Sequence, residues 1–404
     1  MRLRIKDICD YVSRGTTPDY VDEGANKVMN QATFSKGWID ESNIRYTSKA
    51  NKGARIMKGD LLMASTGGGV LGKVFFFDDD DSFYADSHVT IMRNSKGANL
   101  MKYIYYYFYL RYDEINATMV KGSTNQTELQ RNYLLSYELD VPTLADQQRM
   151  VTYLDTKLSE IDHQVSLLTS KRDAYLRLKK SIINHAVTRG LNPNVKMKDS
   201  GIEWIGEVPE HWEVKRLKNV VECNAKSLGE NTPKDSIIKY VEISDVDHVH
   251  GINNIQSLMF GEAPSRARRI TQKGDIIIST VRTYLKAIAK IEDDDIIVST
   301  GFAVLHPTKC NGEYLAYYIL SESFINRVEM LSKGTSYPAI NASDLVSINV
   351  LIPPLPEQHA IATYLDDKCA KIDTIVSNLD KQISRYGDLK RSLIDEVITG
   401  KRAV

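Results

Sequence analysis

The strongest constraint on this chain is that it contains itself twice. The segment VPTLADQQRMVTYLDTKLSEIDHQVSLL from Val141 returns as IPPLPEQHAIATYLDDKCAKIDTIVSNL from Ile352, at a constant offset of 211 residues. Over residues 141–190 and their counterparts, nineteen of fifty aligned pairs are identical without a gap, among them Pro142/Pro353, Leu144/Leu355, Gln147/Gln358 and Thr188/Thr399. Weaker echoes flank it. KGDLLMAST from Lys58 answers KGDIIISTV from Lys273, and Lys121-Gly122-Ser123 answers Lys333-Gly334-Thr335. The period is far above the roughly 20–50 residues of solenoids and propellers, so the chain is a tandem pair of domain-sized units.

Each unit has two parts. The repeated segment places Val151, Leu154, Leu158, Ile161, Val165 and Leu168 at alternating spacings of three and four, as do Ala362, Leu365, Cys369, Ile372, Val376 and Leu379 in the second copy. That pattern predicts a long helix with a heptad seam. Prolines precede each start, Asp146 or Glu357 falls in the first turn, and Gly190 or Gly400 follows the end. The portions before the helices carry short β-rich runs at 60–64, 73–77, 275–279 and 296–299 between Gly, Asn and Ser clusters, which predicts mixed α/β (α+β) globular domains. A tyrosine-rich stretch at 103–112 matches 314–320. Its helical spacing fits a helix packed on the sheet, with stacking on bases as the alternative.

Connectivity then suggests geometry. A parallel pair of helices, each about 60 Å long at 1.5 Å per residue, would force the second globular domain to route the chain back over that length. An antiparallel pair needs no detour, so a dumbbell with a pseudo-two-fold axis is expected. The divisions run 1–145 globular, 146–190 helix, 191–212 linker, 213–356 globular and 357–404 helix.

Composition narrows the function classes. Lys plus Arg and Asp plus Glu are both 52, so any charged binding surface is local. The start lacks the apolar run of a signal peptide, and no stretch approaches the roughly 18 apolar residues of a membrane span, so a cytoplasmic location is expected. The four cysteines lie far apart and read as reduced residues. GGGVLGK at 67–73 nearly matches a phosphate-binding loop, but such a loop must open onto a helix, and a strand-like KVFFF follows. His248 and His250 have no partner at metal-ligand spacing, and Asp78, Asp79, Asp80 and Asp81 read as a solvated turn. With no nucleophile or zinc motif, the chain reads as a binding protein without catalytic or metal residues.

Two similar but non-identical domains suit a bipartite site. Lys49, Lys52, Arg55 and Lys58 in one copy, and Arg266, Arg268, Arg269 and Lys273 in the other, are local basic clusters that either hold phosphates or simply solvate the surface. The run IPPLPEQHAIATYLDDKCAKIDTIV, the segment LKRSLIDEVITGK, the lead-in GIEWIGEVPEHWEVKRLKNV and TGFAVLHP resemble the specificity subunit of type I restriction-modification systems over nearly the whole chain. It departs from that family where ADQQRM stands for the usual PEQ-type motif, and the first copy lacks a counterpart of GIEWIGEVPEHW.

The resemblance implies two target recognition domains that read a split sequence in double-stranded DNA, held apart by antiparallel helices. It implies partners as well: two adenine methyltransferase subunits binding S-adenosylmethionine, and restriction subunits using ATP and magnesium, with no cofactor in this chain. Loops on a rigid frame usually carry recognition. The candidate DNA-binding residues are therefore Ser65, Thr66, Gly68, Lys121, Ser123, Asn125 and Gln126 in the first domain. Arg282, Thr283, Tyr284, Lys333, Thr335, Ser336 and Tyr337 are those of the second, with Arg282 on a base edge and Lys121 and Lys333 on phosphates. Asp155, Lys157, Asp366 and Lys368, away from the helix seam, are candidate partner contacts. The competing class is a structural coiled-coil scaffold that joins two protein-binding domains.

Overall fold

The structure, a computed structural model, describes residues 1–95, 97–121 and 127–404. It contains two compact units, residues 1–168 with 381–404, and residues 169–380. Four helices organise them: α1 (Ala98–Tyr109), α2 (Leu144–Arg189), α3 (Gly312–Ile319) and α4 (Leu355–Ile398). Both long helices contribute residues to both units. Each ends on a glycine in the left-handed region, Gly190 at φ +77° and Gly400 at φ +74°, the conformation that lets a helix stop there without strain on a Cβ.

In the first unit an antiparallel sheet runs in the order Tyr11–Arg14, Val89–Arg93, Leu61–Ala64, Val74–Phe76. Leu61–Ala64 is buried throughout, and its side chains alternate between two cores. Leu61 and Met63 join Tyr103, Ile104 and Phe108 of α1, while Leu62 and Ala64 join Met29, Ile56 and Phe83 of a second sheet. In that second sheet Asn26–Met29 pairs in parallel with Phe83–Ala85. The tyrosine-rich stretch is thus core, as its helical period favours.

The second unit repeats this plan. Its sheet runs Val221–Cys223, Phe302–Pro307, Ile276–Ser279, Ile288–Lys290. Ile276 and Ile278 face the α3 core, and Ile277 faces the other side. Ile237–Val241 pairs in parallel with Ile296–Ser299, the counterpart of the parallel pair in the first unit. The repeated KGD words acquire a physical role here. Asp60 accepts from the Met57 backbone N–H at 2.7 Å and pairs with Arg93 at 2.7 Å; Asp275 accepts from the Gln272 N–H at 2.8 Å and pairs with His306 at 2.7 Å. In each copy a buried carboxylate pins a turn to the neighbouring strand, Val89–Arg93 or Phe302–Pro307.

Short strand pairs close each globular part beside its helix: Arg2–Arg4 with Glu138–Asp140, and Glu213–Arg216 with Asn349–Ile352. Residues 191–212, read as a linker, form a hairpin of Met197–Asp199 and Glu207–Pro209. It leads to Trp212, which is buried and donates its indole N–H to Glu357 at 3.1 Å, while His211 contacts the same carboxylate at 2.7 Å.

Within each unit the helices run antiparallel. Asp162 pairs with Lys390 at 2.8 Å in the first unit; Asp373 pairs with Lys179 at 2.6 Å and Asp380 with Arg172 at 3.5 Å in the second. Residue numbers fall along one helix as they rise along the other. Because Asp162/Asp373 and Lys179/Lys390 are both repeat pairs, the same ion pair is made twice. Around it, Val151, Leu154, Leu158 and Ile161 pack with Leu393, Ile394, Val397 and Ile398, and Ile361, Leu365 and Cys369 pack with Ile183, Ala186 and Val187.

Candidate functional site

In both units the loop that leaves the central buried strand meets the loop that follows the helices behind the sheet. In the first, the Ser65 N–H donates to the His88 carbonyl at 2.8 Å, the Leu129 N–H donates to the Ser65 carbonyl at 2.9 Å, and Thr66 bridges to Glu128. In the second, the Thr280 N–H donates to the Gly301 carbonyl at 2.8 Å, the Ile340 N–H donates to the Thr280 carbonyl at 2.8 Å, and Val281 bridges to Ala339. The match is atom for atom. It makes Ser65 equivalent to Thr280 and His88 equivalent to Gly301.

These bonds bring most of the candidate reading residues together. In the second unit Lys333, Thr335, Ser336 and Tyr337 form an exposed loop, and Arg282 lies 5.3 Å from the centroid of the Tyr337 ring. Tyr284 is 52% exposed and Tyr337 68%, large apolar faces that a monomer in water gains nothing by showing. Arg282 lines a cavity of about 360 Å³ with Glu242, Ser244, Arg266 and Thr300. There the Ser244 hydroxyl and the Arg266 guanidinium hold the Glu242 carboxyl below its usual range.

In the first unit Gly68 is exposed but offers only backbone, Thr66 Oγ1 lies 2.6 Å from His88 Nδ1, and Lys121 is exposed on the short strand Val120–Lys121 beside Glu128. Ser123, Asn125 and Gln126 lie outside the described residues.

Two expectations are corrected. Ser65 is fully buried, with its hydroxyl against Thr90, and Thr283 is 5% exposed and donates to Ser332 Oγ at 2.9 Å. Both hydroxyls are spent on holding their loops. Sequence reasoning also passed over Gln31, which lies beside the glycine loop of the first unit. The position invites no attention in the sequence, because the residue at the same place in the repeat is the apolar Ile243.

The helix residues proposed as partner contacts are partly occupied. Tyr106 donates to Asp155 at 2.6 Å and Lys102 pairs with Asp155 at 2.8 Å; Tyr317 donates to Asp366 at 2.8 Å. Tyr106/Tyr317 and Asp155/Asp366 are separated by the repeat offset, so each globular part is fastened to its own helix by the same bond. Burial pushes both phenols well above their usual range, and the carboxylate partner adds to it. Lys157 pairs with Glu160 at 2.9 Å, and Lys368 lies over the Tyr364 ring at 5.6 Å.

Of the basic clusters, Lys49, Lys58 and Arg266 are matched by Asp19, Asp80 and Glu242, and Arg268 lies over Phe260. Lys52, Arg55 and Lys273 have no acidic partner among the described residues. The glycine-rich loop leads into the strand Val74–Phe76, not a helix. Among the described residues no group of three or more His, Cys, Asp or Glu could hold a metal ion, and no helix is long and apolar enough to cross a membrane.

Tandem mixed domains, each presenting paired loops and fastened to a long helix, define a class, and the family comparison identifies it. The type I restriction modification DNA specificity domain matches residues 1–167 and 209–385, and the chain belongs to that family. A protein provisionally named the type I restriction enzyme MjaX specificity subunit, of Methanocaldococcus jannaschii, is 24% identical over 98% of this chain and 92% of its own length. The type I restriction enzyme MjaVIII specificity subunit of the same organism is 22% identical over 77% of this chain and 73% of its own. A chain from a solved structure concerned with complex assembly and conformational transition of the type I restriction-modification system superimposes with a TM-score of 0.69 at 16% identity, covering 98% of this chain and 97% of its own. That likeness shows the same fold.

Proposed function

We propose that this chain is the DNA-reading subunit of a type I restriction-modification complex, with each unit contacting one half of a split duplex target. The observation that supports it most is the duplicated loop pair, which in the second unit combines Arg282, Lys333, Tyr284 and Tyr337 on exposed loops of a rigid frame. Guanidinium and ammonium groups suit phosphates and guanine edges, and hydroxyls and amides suit the remaining base edges.

The methylation and cleavage chemistry would reside in partners: two adenine methyltransferase subunits using S-adenosylmethionine, and restriction subunits using ATP and magnesium. This subunit would contribute no catalytic group and act in the cytoplasm. Exposed parts of the two helices, including the faces near Lys157 and Lys368, would take the methyltransferases. Mapping methylated adenines in cells with and without this chain tests the reading. Expected is a bipartite motif with an unspecified spacer, methylated only when the chain is present. Methylation that persists in its absence would overturn the proposal.

A further inference from the structure

The two reading loops differ in a way that the repeat makes legible. With Ser65 equivalent to Thr280, Gly67 is equivalent to Arg282; with the Ala64 N–H donating to Lys73 as the Ser279 N–H donates to Ala287, Gly72 is equivalent to Lys286. All four are left-handed: Gly67 at φ +95°, Gly72 at +85°, Arg282 at +52° and Lys286 at +51°. The fold therefore requires positive φ at both ends of this loop. Glycine meets that requirement freely, whereas a residue with a Cβ is strained there. Such strain persists only where the surrounding structure imposes it, and it clusters at sites of function.

What replaces the Arg282 side chain in the first unit is the amide of Gln31. A Cβ built on Gly67 would lie 3.2 Å from Val70 Cγ2 and 3.3 Å from Gln31 Nε2, the polar atom nearest to it. Gln31 follows the strand Asn26–Met29 as Ile243, which lines the Arg282 cavity, follows Ile237–Val241. So one copy fills this place from the loop, and the other fills it from the turn opposite. Gln31 Oε1 is shielded yet accepts no hydrogen bond from any described residue. Turning that amide outward toward a base therefore sacrifices no internal acceptor bond.

We infer that this shared place is a base-reading point in both units, taking an adenine through Gln31 in one half-site and a guanine through Arg282 in the other. Gln presents a donor and an acceptor that match adenine N7 and N6, and Arg presents two donors that match guanine N7 and O6. The inference rests on the DNA-reading role proposed above.

The test is methylated-adenine mapping in cells that carry the intact system, with this chain as wild type, Gln31→Ala, Arg282→Gln and Arg282→Gly. A wild-type motif is required first; if no bipartite motif is found, the functional reading itself fails. Given the motif, Gln31→Ala should relax one A·T position in one half-site. Arg282→Gln should move one G·C position of the other half-site toward A·T, each changing discrimination by about ten- to a hundredfold. Arg282→Gly should relax that same position while raising the native-state exchange protection of the Ile276–Ser279 amides severalfold, since it removes the left-handed strain. A purely structural arginine would instead lower that protection. An unchanged motif in Gln31→Ala or Arg282→Gln, or a uniform loss of methylation with no altered base position, overturns the inference and leaves the wild-type motif standing.

Discussion

Replacing Asp60 by alanine should be among the most damaging single changes in the first unit. Its carboxylate is 1% exposed and makes three bonds of 2.7 Å, to Arg93 Nε, to an Arg93 terminal nitrogen and to the Met57 N–H. Arg93 is 19% exposed and so cannot fully regain water when the carboxylate is gone. Removing one partner of a buried ion pair costs about 3–5 kcal/mol, because a charge is left uncompensated. Asp60→Asn keeps the shape and one good acceptor, and should cost about 1.5–3 kcal/mol.

A chain of two units need not unfold in a single step, so the assay must be local. Native-state hydrogen exchange of the amides in Leu61–Ala64 and Val89–Arg93 meets that need. Each 1.4 kcal/mol lowers protection about tenfold, so Asp60→Ala should lower it by about two to three and a half powers of ten, with the strands of residues 169–380 unaffected. Pairing Asp60→Leu with Arg93→Met should recover much of the loss, since no lone charge remains. A loss below about 1 kcal/mol for Asp60→Ala, or costs for Asp60→Ala and Arg93→Ala that add without coupling, would refute the assigned role of the KGD carboxylate.

Other outcomes follow from the same geometry. Tyr106→Phe, which strands the more enclosed of the two tyrosine bonds, should cost about 1–2 kcal/mol by the same exchange assay, and Tyr317→Phe, facing the more exposed Asp366, less. Leu365→Asp places a charge at a fully buried position and should destabilise residues 169–380 by more than about 4 kcal/mol, read as a loss of soluble chain or of exchange protection in Ile276–Ser279. Burial first, then Lys180 and Lys286, lowers the His248 pKa below its ordinary 6.5. The folded state therefore resists a proton that the unfolded chain accepts, and stability should fall as pH drops below about 6.5; His248→Asn should flatten melting curves taken between pH 7 and 5. A fragment of residues 1–199 should sediment as a symmetric dimer, its Ile182, Ile183, Ala186 and Val187 standing in for Leu393, Ile394, Val397 and Ile398; a folded monomer would contradict the pairing.

The helices were legible because a heptad pattern reports a buried stripe directly, and Gly190 and Gly400 announced their ends. Strands such as Leu61–Ala64 and Ile276–Ser279 were legible as short apolar runs, although only the structure shows that they are covered on both faces. The candidate loops fall at matching places in the repeat, but side-chain direction inside a loop is set by tertiary bonds. Ser65 and Thr283 are polar in sequence and inward in fact for that reason. Asp155 and Asp366 stood out as candidate partner contacts, whereas their bonds to Tyr106 and Tyr317, at the same offset, are tertiary contacts that no local pattern reports. Gln31 gave no signal, because its importance comes from the absent side chain at Gly67, a residue far along the chain.

The composition of the first unit carries a consequence for biosynthesis. Residues 169–380 are one continuous stretch, and the core cluster around α3 draws only on residues within it. Residues 1–168 are not self-contained in this way, since Leu393, Ile394, Val397 and Ile398 belong to their core. At the usual 5–20 residues per second, residues 1–168 wait roughly 11–45 s for that layer. During that wait the apolar stripe at Val151, Leu154 and Leu158 is open to chaperones, proteases or a second nascent chain. A product cut short before residue 393 would lack that layer, so synthesis of residues 381–404 is the step that seals the first unit.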